Sequence, residues 1–317
     1  MDEFSLINAF FTKNALNRDD VVFGIGDDAA CLRVPAGMDL LVSTDTLVSG
    51  VHFLPTWNAC DIAYKAVMVN LSDIAAMAGT PCWLTLALTM PQVDTVWMVD
   101  FAKGLHEALL KYKVALIGGD TTRGPLSLTL TIHGLVPKGQ AIRRNGAKPL
   151  DKIYVSGTLG APAFAVSYLE QENITEGDKK TLQDLLTHPI PRIDLAPFLL
   201  SFATAAIDVS DGLSSDLNHI CTQSGVGACL FTEAIAIHPL VKKYAKENAL
   251  DLALHGGDDY VLCFTVPPQK EEKLLASLRA NGLSCYEIGV IENAKGMRLK
   301  REDGVVDKLM PKGYSHF

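Results

Sequence analysis

The stretch LIGGDTTRGPLSLTLTIHGLV, residues 116–136, decides the fold class because it places strand-like segments on either side of a glycine-rich acidic turn. Leu126–Ile132 alternates strictly between apolar and polar residues, which is typical of a strand with one buried face. Before it, Leu116 and Ile117 run into Gly118-Gly119-Asp120, which predicts a strand that ends in a glycine turn. We therefore expect a sheet with a carboxylate at the end of one strand.

Strand-like and helix-like segments alternate around this stretch. Strands are predicted over Leu40–Val48, Trp83–Met90 and Leu126–Val136, and helices over Asp61–Ala78 and Val93–Lys113. This alternation favours a sheet packed with helices.

A polar, basic segment over Pro137–Asp151 marks the predicted domain boundary, with domains at residues 1–137 and 138–317. The second domain is expected to alternate in the same way. Its predicted elements are the strand Lys152–Ser156, the helix Ala161–Leu169, a polar loop over Asn173–Lys180, the strand Thr204–Val209, the helix Ser214–Ser224, the strand Tyr260–Val266, the helix Gln269–Asn281 and a strand near Ile288. The predicted fold class is therefore α/β (mixed α+β), with two domains that each hold a mixed sheet packed with helices.

The composition of the 317 residues excludes several classes of protein. Asp and Glu number 36 against 28 Lys and Arg, and the net charge of −8 argues against nucleic acid or an anionic membrane as the main partner. Seven cysteines without a CxxC pair indicate free thiols in a reducing compartment. The sequence has neither an apolar run of roughly 18 residues nor a signal-peptide pattern. We expect a cytoplasmic protein.

Six short segments set a carboxylate at a strand end, in a helix or at a glycine turn. They are GIGDD at 24–28, STDT at 43–46, NLSD at 70–73, GGDTT at 118–122, DVSDG at 208–212 and GGDD at 256–259. One such segment is usually a structural turn, whereas six in one acidic chain point to a shared function. Carboxylates that converge without basic partners repel one another, and Mg²⁺ relieves that repulsion while it bridges to phosphate. The glycines suit close approach of a phosphate to the backbone.

Asp73 is the most informative of these acids because it lies within a predicted apolar helix, on the same side as Asn70. Either it faces solvent or it is a buried functional carboxylate, and the apolar residues 75–77 are compatible with the second alternative. The common nucleotide and hydrolase motifs are absent from the sequence, namely the P-loop, the protein-kinase catalytic loop, GxSxG and HExxH. A phosphate site built from carboxylates and magnesium remains.

Seven motifs, in order along nearly the whole chain, carry a resemblance to a known family. They are GIGDDAA (24–30), STDTLVSGVHF (43–53), NLSDIAAMAGTP (70–81), LIGGDTTRGPLSL (116–128), IDVSDGLSSDL (207–217), GGDDY (256–260) and KGYSHF (312–317). The chain resembles the bacterial thiamine-phosphate kinases, which belong to the aminoimidazole-ribonucleotide-synthetase-like ATP-binding superfamily. The resemblance implies the fold of this superfamily, with two domains that contribute to the ATP site. It also implies a homodimer formed through the N-terminal domains.

The resemblance also implies a role for individual residues. Those expected to hold several Mg²⁺ ions are Asp28, Ser43, Thr44, Asp45, Asp73, Asp120, Asp208 and Asp211. Those expected to bind ATP are Gly119, Asp120, Arg144 and Ser210, and those expected to bind thiamine phosphate are His52, Asp258 and Tyr314. By themselves, Arg144, His52 and Tyr314 are also compatible with a solvated charge, a structural loop histidine and an apolar anchor for the C-terminal tail.

The implied reaction is direct in-line transfer of the γ-phosphate of ATP to thiamine phosphate, which gives thiamine diphosphate and ADP without a covalent nucleophile. The first domain would carry most metal ligands, and the second would complete the ATP and substrate sites. The family pattern GGEDYEL reads GGDDYVL here, so Asp258 is one methylene shorter and Val261 replaces an acid. Other ATP-using members of the superfamily, a metal-dependent phosphatase and a nucleotide sensor without turnover are the alternatives.

Overall fold

A computed structural model of the chain describes residues 3–12, 16–168 and 171–315, which form two compact units. Unit 1 comprises Met1–Ile74 with Gly79–Gln140, and unit 2 comprises Ala75–Ala78 with Ala141–Phe317. Leu169, the predicted end of a helix, and the last two residues of the KGYSHF motif lie outside the described residues.

Unit 1 is built on a four-stranded mixed sheet in the order β3-β6-β4-β5, in which only β4 and β5 run parallel. A short antiparallel pair, β1 and β2, accompanies it. The elements that begin in unit 1 are α1 (Glu3–Ile7), a π-helical turn (Asn8–Thr12), β1 (Val21–Phe23), β2 (Cys31–Leu32), β3 (Met38–Val48), α2 (Ala59–Ala76), β4 (Thr80–Met90), α3 (Thr95–Tyr112), β5 (Ala115–Arg123) and β6 (Ser127–Pro137). The strands and helices predicted for this half are confirmed, with ends that differ by a few residues.

One face of the unit 1 sheet is buried and the other carries exposed side chains. The alternation predicted for β6 holds, since Leu128, Leu130 and Ile132 are fully buried and the residues between them are not. On β3, Leu40 and Val42 are exposed. Along one strand, the odd-numbered and the even-numbered side chains therefore face different environments.

The α2 and α3 helices cover unit 1 and are held close together. Asp94 begins α3 because its carboxylate accepts hydrogen bonds from the backbone N–H groups of Val96 and Trp97. A side chain at Gly104 of α3 would put its Cβ 2.1 Å from the carbonyl oxygen of Cys60 in α2, so only glycine allows this approach. Tight contact of this kind fixes α2, and with it Asp73, relative to the rest of the unit.

The predicted glycine turn at residues 118–120 is wrong, because these residues continue β5. The strand pairs with β4 through Gly118, Gly119 and Asp120, and its register shifts between Leu84 and Thr85 of β4. A bulge that adds one residue lets the strand pass through the glycines without ending. Asp45 likewise lies inside β3 rather than at its end.

Unit 2 is built on a seven-stranded sheet in the order β13-β12-β9-β11-β7-β10-β8, which is antiparallel except for the β12–β9 pair. Its elements are β7 (Lys152–Val155), α4 (Ala161–Tyr168), α5 (Glu176–Thr187), α6 (Ala196–Phe202), β8 (Ala205–Asp208), α7 (Leu213–Ser224), β9 (Gly227–Phe231), α8 (Pro239–Ala245), α9 (Ala249–His255), β10 (Leu262–Val266), α10 (Pro268–Ala280), β11 (Tyr286–Glu292), β12 (Gly296–Lys300) and β13 (Val306–Leu309).

Both faces of the unit 2 sheet are buried. Ile153, Val155 and Cys263 belong to one apolar core, which also contains residues of α7. Tyr154 and Phe264 belong to a second core, which contains residues of α6 and α10. Two buried faces explain why these strands read as continuous apolar runs instead of alternating ones. The mixed α/β fold class is confirmed in both units.

The polar loop predicted over residues 173–180 is wrong because α5 begins inside it. The side chain of Thr175 accepts a hydrogen bond from the Asp178 backbone, and acidic residues occupy the first helical turn. Leu182 and Leu186, one turn apart, are buried and anchor the helix. In the part of the chain that the structure describes, no helix is long and apolar enough to cross a membrane.

Candidate functional site

Ser43 and Asp45 lie two residues apart on β3 and meet Asp73 of α2. The Ser43 hydroxyl donates a hydrogen bond to Asp73 Oδ2 at 2.5 Å. Burial, followed by the negative charge of Asp73 and a hydrogen bond to it, raises the pKa of Asp45 to about 6. Of the two readings of Asp73, the structure supports the partly buried carboxylate. We call Asp45 and Asp73 the acidic pair, and Ser43 lies beside it.

Thr44, between them, points the other way. Its hydroxyl forms a 2.9 Å hydrogen bond with that of Thr131 on β6, and the next residue of the same face, Thr46, does the same with Thr129. Successive side chains of a strand project to opposite faces, so the Thr44 hydroxyl does not join the acidic pair. Only its backbone could contribute an oxygen there.

The GIGDD and GGDTT segments line one cleft of about 730 Å³ in unit 1. Gly24–Ala30 form one wall, Leu116–Thr121 another, and residues of the segment Ile7–Thr12 close a third side. Asp28 and Asp120 are therefore brought to the same cleft, and both are exposed. The cleft is of a size that ordinarily holds a small organic ligand.

Gly119 lets β5 lie close to Leu86 of β4 at this wall. Its φ is +153°, and an added Cβ would lie 1.8 Å from the carbonyl oxygen of Leu86. No other residue fits this position, which places backbone rather than a side chain at the cleft. Beside it, the Asp120 carboxylate accepts a hydrogen bond from the Thr121 N–H at 2.9 Å.

The oxygen ligands that unit 1 offers suit a hard cation whose coordination shell is completed by oxygens from other molecules. Within residues 3–12, 16–168 and 171–315, no group of three His, Cys, Asp or Glu side chains is placed to hold a metal. Mg²⁺, however, is commonly bound by one or two carboxylates together with waters and substrate phosphates. Asn70, fully buried one turn before Asp73, has a side-chain oxygen without a hydrogen-bond partner among the described residues. Two repelling carboxylates and a serine oxygen are chemically suited to such an ion.

In unit 2, two loops and the C-terminal tail bring together predicted metal, ATP and substrate residues. Asp208 is the last residue of β8 and is buried, and the loop that follows carries Ser210 and Asp211. The Asp258 N–H donates to the carbonyl oxygen of Ser210 at 2.7 Å. The Tyr314 N–H donates to that of Asp211 at 3.1 Å. Backbone hydrogen bonds thus gather these five residues.

The loop that carries Asp258 has an unusual backbone. Asp258 and Tyr260 have φ angles of 72° and 49°, in the left-handed region that disfavours most side chains. A Cβ at Gly257 would lie 2.4 Å from the Ser210 carbonyl oxygen. Asp is among the residues that tolerate this conformation best, which provides a local reason for Asp rather than a longer acid at position 258.

Sequence reasoning missed two buried acids behind these loops. Asp216 accepts hydrogen bonds from the backbone N–H groups of Asp211 and Gly212, each at 3.1 Å, and burial together with the charge of Asp211 raises its pKa to about 7. Asp259 accepts one from Gly160, and burial raises its pKa well above the ordinary value. Asp216 lies in the DGLSSDL motif and Asp259 in the GGDDY motif. The only signal in the sequence was therefore that each motif holds a second acid besides the one that was given a role.

The two remaining predicted site residues are His52 and Arg144. His52 follows β3, and its Nδ1 accepts a hydrogen bond from the Val48 N–H at 3.0 Å, which leaves Nε2 to carry the proton of the neutral ring. Arg144 is exposed, and its carbonyl oxygen accepts a hydrogen bond from Ser224, whose hydroxyl also receives the N–H groups of Gly146 and Ala147. Ser224 therefore orders the segment that carries Arg144.

Known proteins resemble this chain over nearly its full length. Residues 26–136 match the family AIR synthase related protein, N-terminal domain, and residues 148–302 match AIR synthase related protein, C-terminal domain. The thiamine-monophosphate kinase of Salmonella typhimurium is 46% identical over 319 residues, which cover 99% of this chain and 98% of that protein.

Solved structures show the same similarity. The crystal structure of thiamine-monophosphate kinase from Stenotrophomonas maltophilia K279a has a TM-score of 0.87 and 42% identity, and covers 96% of this chain and 97% of that one. A structure described as AaThiL complexed with AMPPCP and TMP has a TM-score of 0.80 and 32% identity, and covers 99% of this chain and 97% of that one.

Proposed function

The chain belongs to the thiamine-monophosphate kinase family of AIR synthase related proteins, whose members phosphorylate thiamine phosphate with ATP. We propose that this chain catalyses that reaction and that its acidic residues hold the cation that the reaction needs. The reaction yields thiamine diphosphate and ADP. The observation that carries the proposal is the acidic pair of unit 1, in which Asp45 and Asp73 meet beside Ser43.

Magnesium is the cation that this arrangement suits best. Asp45 and Asp73, with the Ser43 oxygen, hold Mg²⁺ in unit 1, and Asp28 and Asp120 hold it at the cleft. In unit 2, Asp208 and Asp211 hold it. When bound, Mg²⁺ neutralises phosphate charge and orients the phosphates of the nucleotide. Thr44 contributes through its backbone, since its hydroxyl is paired with Thr131.

The cleft of unit 1 holds ATP, with its phosphates against the glycine-rich walls. Gly119 exposes backbone that a phosphate can approach, and Asp120 lies next to it in the chain. Apolar residues such as Ile7 and Phe11 also line the cleft, and they would shield a nucleotide base from water. In unit 2, Arg144 and Ser210 offer a positive charge and a hydroxyl to phosphate.

The residues that offer groups to thiamine phosphate are His52 in unit 1 and, in unit 2, Asp258 and Tyr314. Tyr314 is 53% exposed, so its ring is accessible to a cationic aromatic ligand such as thiamine. Asp258 offers a carboxylate of opposite charge from a loop whose backbone is fixed by Ser210. His52 offers Nε2–H as a donor to phosphate.

The residues position and shield charge instead of reacting covalently. The acceptor is a phosphate oxygen that is already anionic at neutral pH, so the transfer requires no strong general base. The proteins' own contribution is to hold the two anionic reactants in line and to exclude competing water. Transfer is direct, with one inversion at phosphorus. Use of chirally labelled ATPγS tests this step, because retention would indicate a phosphoenzyme.

The protein forms a homodimer through unit 1. The outer face of its sheet exposes Val42 (56%) and Leu40 (43%), which are apolar side chains on a regular strand. Val42→Glu should convert the dimer to a monomer in sedimentation velocity, with Val166→Glu, a comparably exposed residue of α4, as the control.

We place the enzyme in the cytoplasm because none of its seven cysteines is paired.

The test of the function is incubation with Mg²⁺, ATP and thiamine phosphate, followed by chromatographic separation of thiamine diphosphate. Formation of thiamine diphosphate with one ADP for each product molecule supports the kinase. ADP and free phosphate without dependence on thiamine phosphate would indicate a hydrolase, and binding without turnover would indicate a sensor.

Variants sharpen this test. Asp45→Asn should abolish transfer in a folded protein. Asp94→Asn is the matched control, since it removes one carboxylate but keeps an oxygen that can cap α3. Loss of activity in both variants, or in neither, would contradict the role given to the acidic pair.

A further inference from the structure

The hydroxyl of Ser214 makes three hydrogen bonds at the start of α7. It lies 2.7 Å from His255 Nδ1, donates to the Lys312 carbonyl oxygen at 2.8 Å and accepts from the Lys312 N–H at 3.1 Å. A hydroxyl has one proton and two lone pairs, so all three bonds form together only if His255 donates from Nδ1. Ser214 is fully buried, and each of these bonds is therefore shielded from water.

The residues after Lys312 lie directly on the loop that carries Asp211. A Cβ at Gly313 would approach to 2.6 Å from the Asp211 carbonyl oxygen and to 2.8 Å from Ser215 Cβ. The Tyr314 N–H then donates to that same Asp211 carbonyl oxygen at 3.1 Å. The tail is thus fastened at Lys312 and again at Tyr314, with glycine between the two points.

This fastening matters because the tail has no regular structure of its own. Residues 310–315 are outside any helix or strand and all are exposed, so no apolar core holds them. Backbone contacts to Ser214 and Asp211 replace that core. His255, at the end of α9, lies 3.8 Å from Asp251 through its other ring nitrogen, which is too long for a hydrogen bond, so Ser214 is the partner that its Nδ1 meets.

We propose that Ser214, oriented by His255, is a positioning residue that holds Lys312–Tyr314 in place so that Tyr314 is presented to thiamine phosphate. The inference rests on the proposed role of Tyr314 in binding the acceptor. Ser214 touches no substrate itself and acts through the tail. It determines affinity for thiamine phosphate and not for ATP.

The first experiment measures steady-state kinetics of Ser214→Ala in the full chain. We expect the KM for thiamine phosphate to rise about tenfold or more, with kcat and the KM for ATP within about twofold of the wild type. Ser201→Ala is the control, because that hydroxyl bonds only within its own helix, to Pro197. Equal changes in both KM values, or no change, would overturn the proposal.

A second pair of variants tests the role of the imidazole. In His255→Asn, the amide nitrogen stands near the place of Nδ1 and can donate to Ser214, so the KM for thiamine phosphate should stay closer to the wild-type value. In His255→Ala it should rise as in Ser214→Ala. The same KM in both His255 variants would contradict the orienting role. These variants also keep the proposal testable if Ser214→Ala does not fold.

Combination with Tyr314→Ala separates positioning from general stability. If Ser214 acts through Tyr314, Ser214→Ala should have no further effect on the KM for thiamine phosphate once the tyrosine ring is gone. Additive increases would show that Ser214 acts by another route.

Limited digestion with trypsin tests the fastening without any need for activity. Cleavage after Lys312 releases a peptide that begins at Gly313, and mass spectrometry follows its appearance. The rate should increase at least about fivefold in Ser214→Ala and stay unchanged in Ser201→Ala. An unchanged rate would overturn the fastening, and a faster rate with unchanged KM would overturn the positioning role. If the wild type forms no thiamine diphosphate, the proposed function fails while the cleavage result still decides the fastening.

Discussion

Replacement of Asp45 by Asn should stabilise the metal-free protein and at the same time abolish its activity. The side chain keeps its shape but loses the charge that burial and Asp73 make unfavourable. The difference between an ordinary pKa of 3.8 and one of about 6 corresponds to about 3 kcal/mol at neutral pH, at about 1.36 kcal/mol for each pKa unit. Because water reaches part of the site and screens it, we expect a gain of between about 1 and 3 kcal/mol.

The pH dependence follows from the direction of the shift. An acid whose pKa is higher in the folded state holds its proton more tightly when folded, so its ionisation destabilises the fold. For Asp45 this destabilisation is complete above about pH 6, weakens as the pH falls, and disappears below the ordinary pKa of 3.8. At pH 4.5 the advantage of Asp45→Asn should fall to about 1 kcal/mol or less.

Urea unfolding in EDTA at pH 7.5 and pH 4.5, followed by circular dichroism, measures both values. Asp94→Asn serves as the control that loses a carboxylate outside the acidic pair and is expected to change little at either pH. Addition of Mg²⁺ should stabilise the wild type more than Asp45→Asn, because only the wild type retains both carboxylates. A variant that is less stable than the wild type at pH 7.5 in EDTA, or an equal difference at both pH values, would refute the reasoning.

Three further changes probe the walls of the site. Gly119→Ala should lower the unfolding midpoint and weaken ATP binding in calorimetry, because its Cβ would meet the Leu86 carbonyl oxygen at 1.8 Å; normal binding would contradict the close approach. Asp216→Ala should destabilise the protein by about 2 kcal/mol in urea, whereas Asp216→Asn should cause no loss, because Asn keeps an acceptor for the two N–H groups and removes the charge that burial and Asp211 make unfavourable; equal losses would exclude that role. Ser224→Ala should cost about 1 kcal/mol and raise the KM for ATP, since Ser224 orders the Arg144 segment; a change in KM for thiamine phosphate alone would contradict this.

Periodicity predicted the elements whose burial follows a simple pattern. The alternation in β6 reflects one buried face, and α2 and α3 show helical spacing with clear ends at Gly79 and Lys113. Strands of unit 2 such as β9, β12 and β13 were not predicted. They are short, and β9 pairs with strands distant in sequence, so no local pattern marks it. β12 and β13 form a hairpin across residues 301–305, and the Asp303-Gly304 turn is a local signal for it.

The chemistry of single acids was harder to predict than the motifs that contain them. Strand alternation alone sends Thr44 to the face opposite Ser43 and Asp45, but the motif STDT does not reveal that Thr44 meets Thr131, because that depends on the register of β3 with β6. The wording DGLSSDL does not distinguish Asp211, on the loop, from Asp216, which supports the loop from behind. The sequence motifs located the acidic loops, and three-dimensional register assigned the tasks within them.

The skew toward acids in this chain then has a structural meaning that net charge alone does not convey. Asp45 in unit 1 is partly buried and Asp216 in unit 2 is buried, each beside another carboxylate, and burial together with that charge raises both pKa values. Neither arrangement is favourable for folding, and in unit 2 the loop that Asp216 supports is hydrogen-bonded to the constrained backbone at Asp258. Unfavourable electrostatics beside constrained backbone is expected where the missing stabilisation comes from a ligand. For an anionic protein with anionic reactants, that stabilisation requires a cation. We propose that magnesium supplies this charge, which is why removal of the Asp45 carboxylate should stabilise the metal-free protein and disable the enzyme.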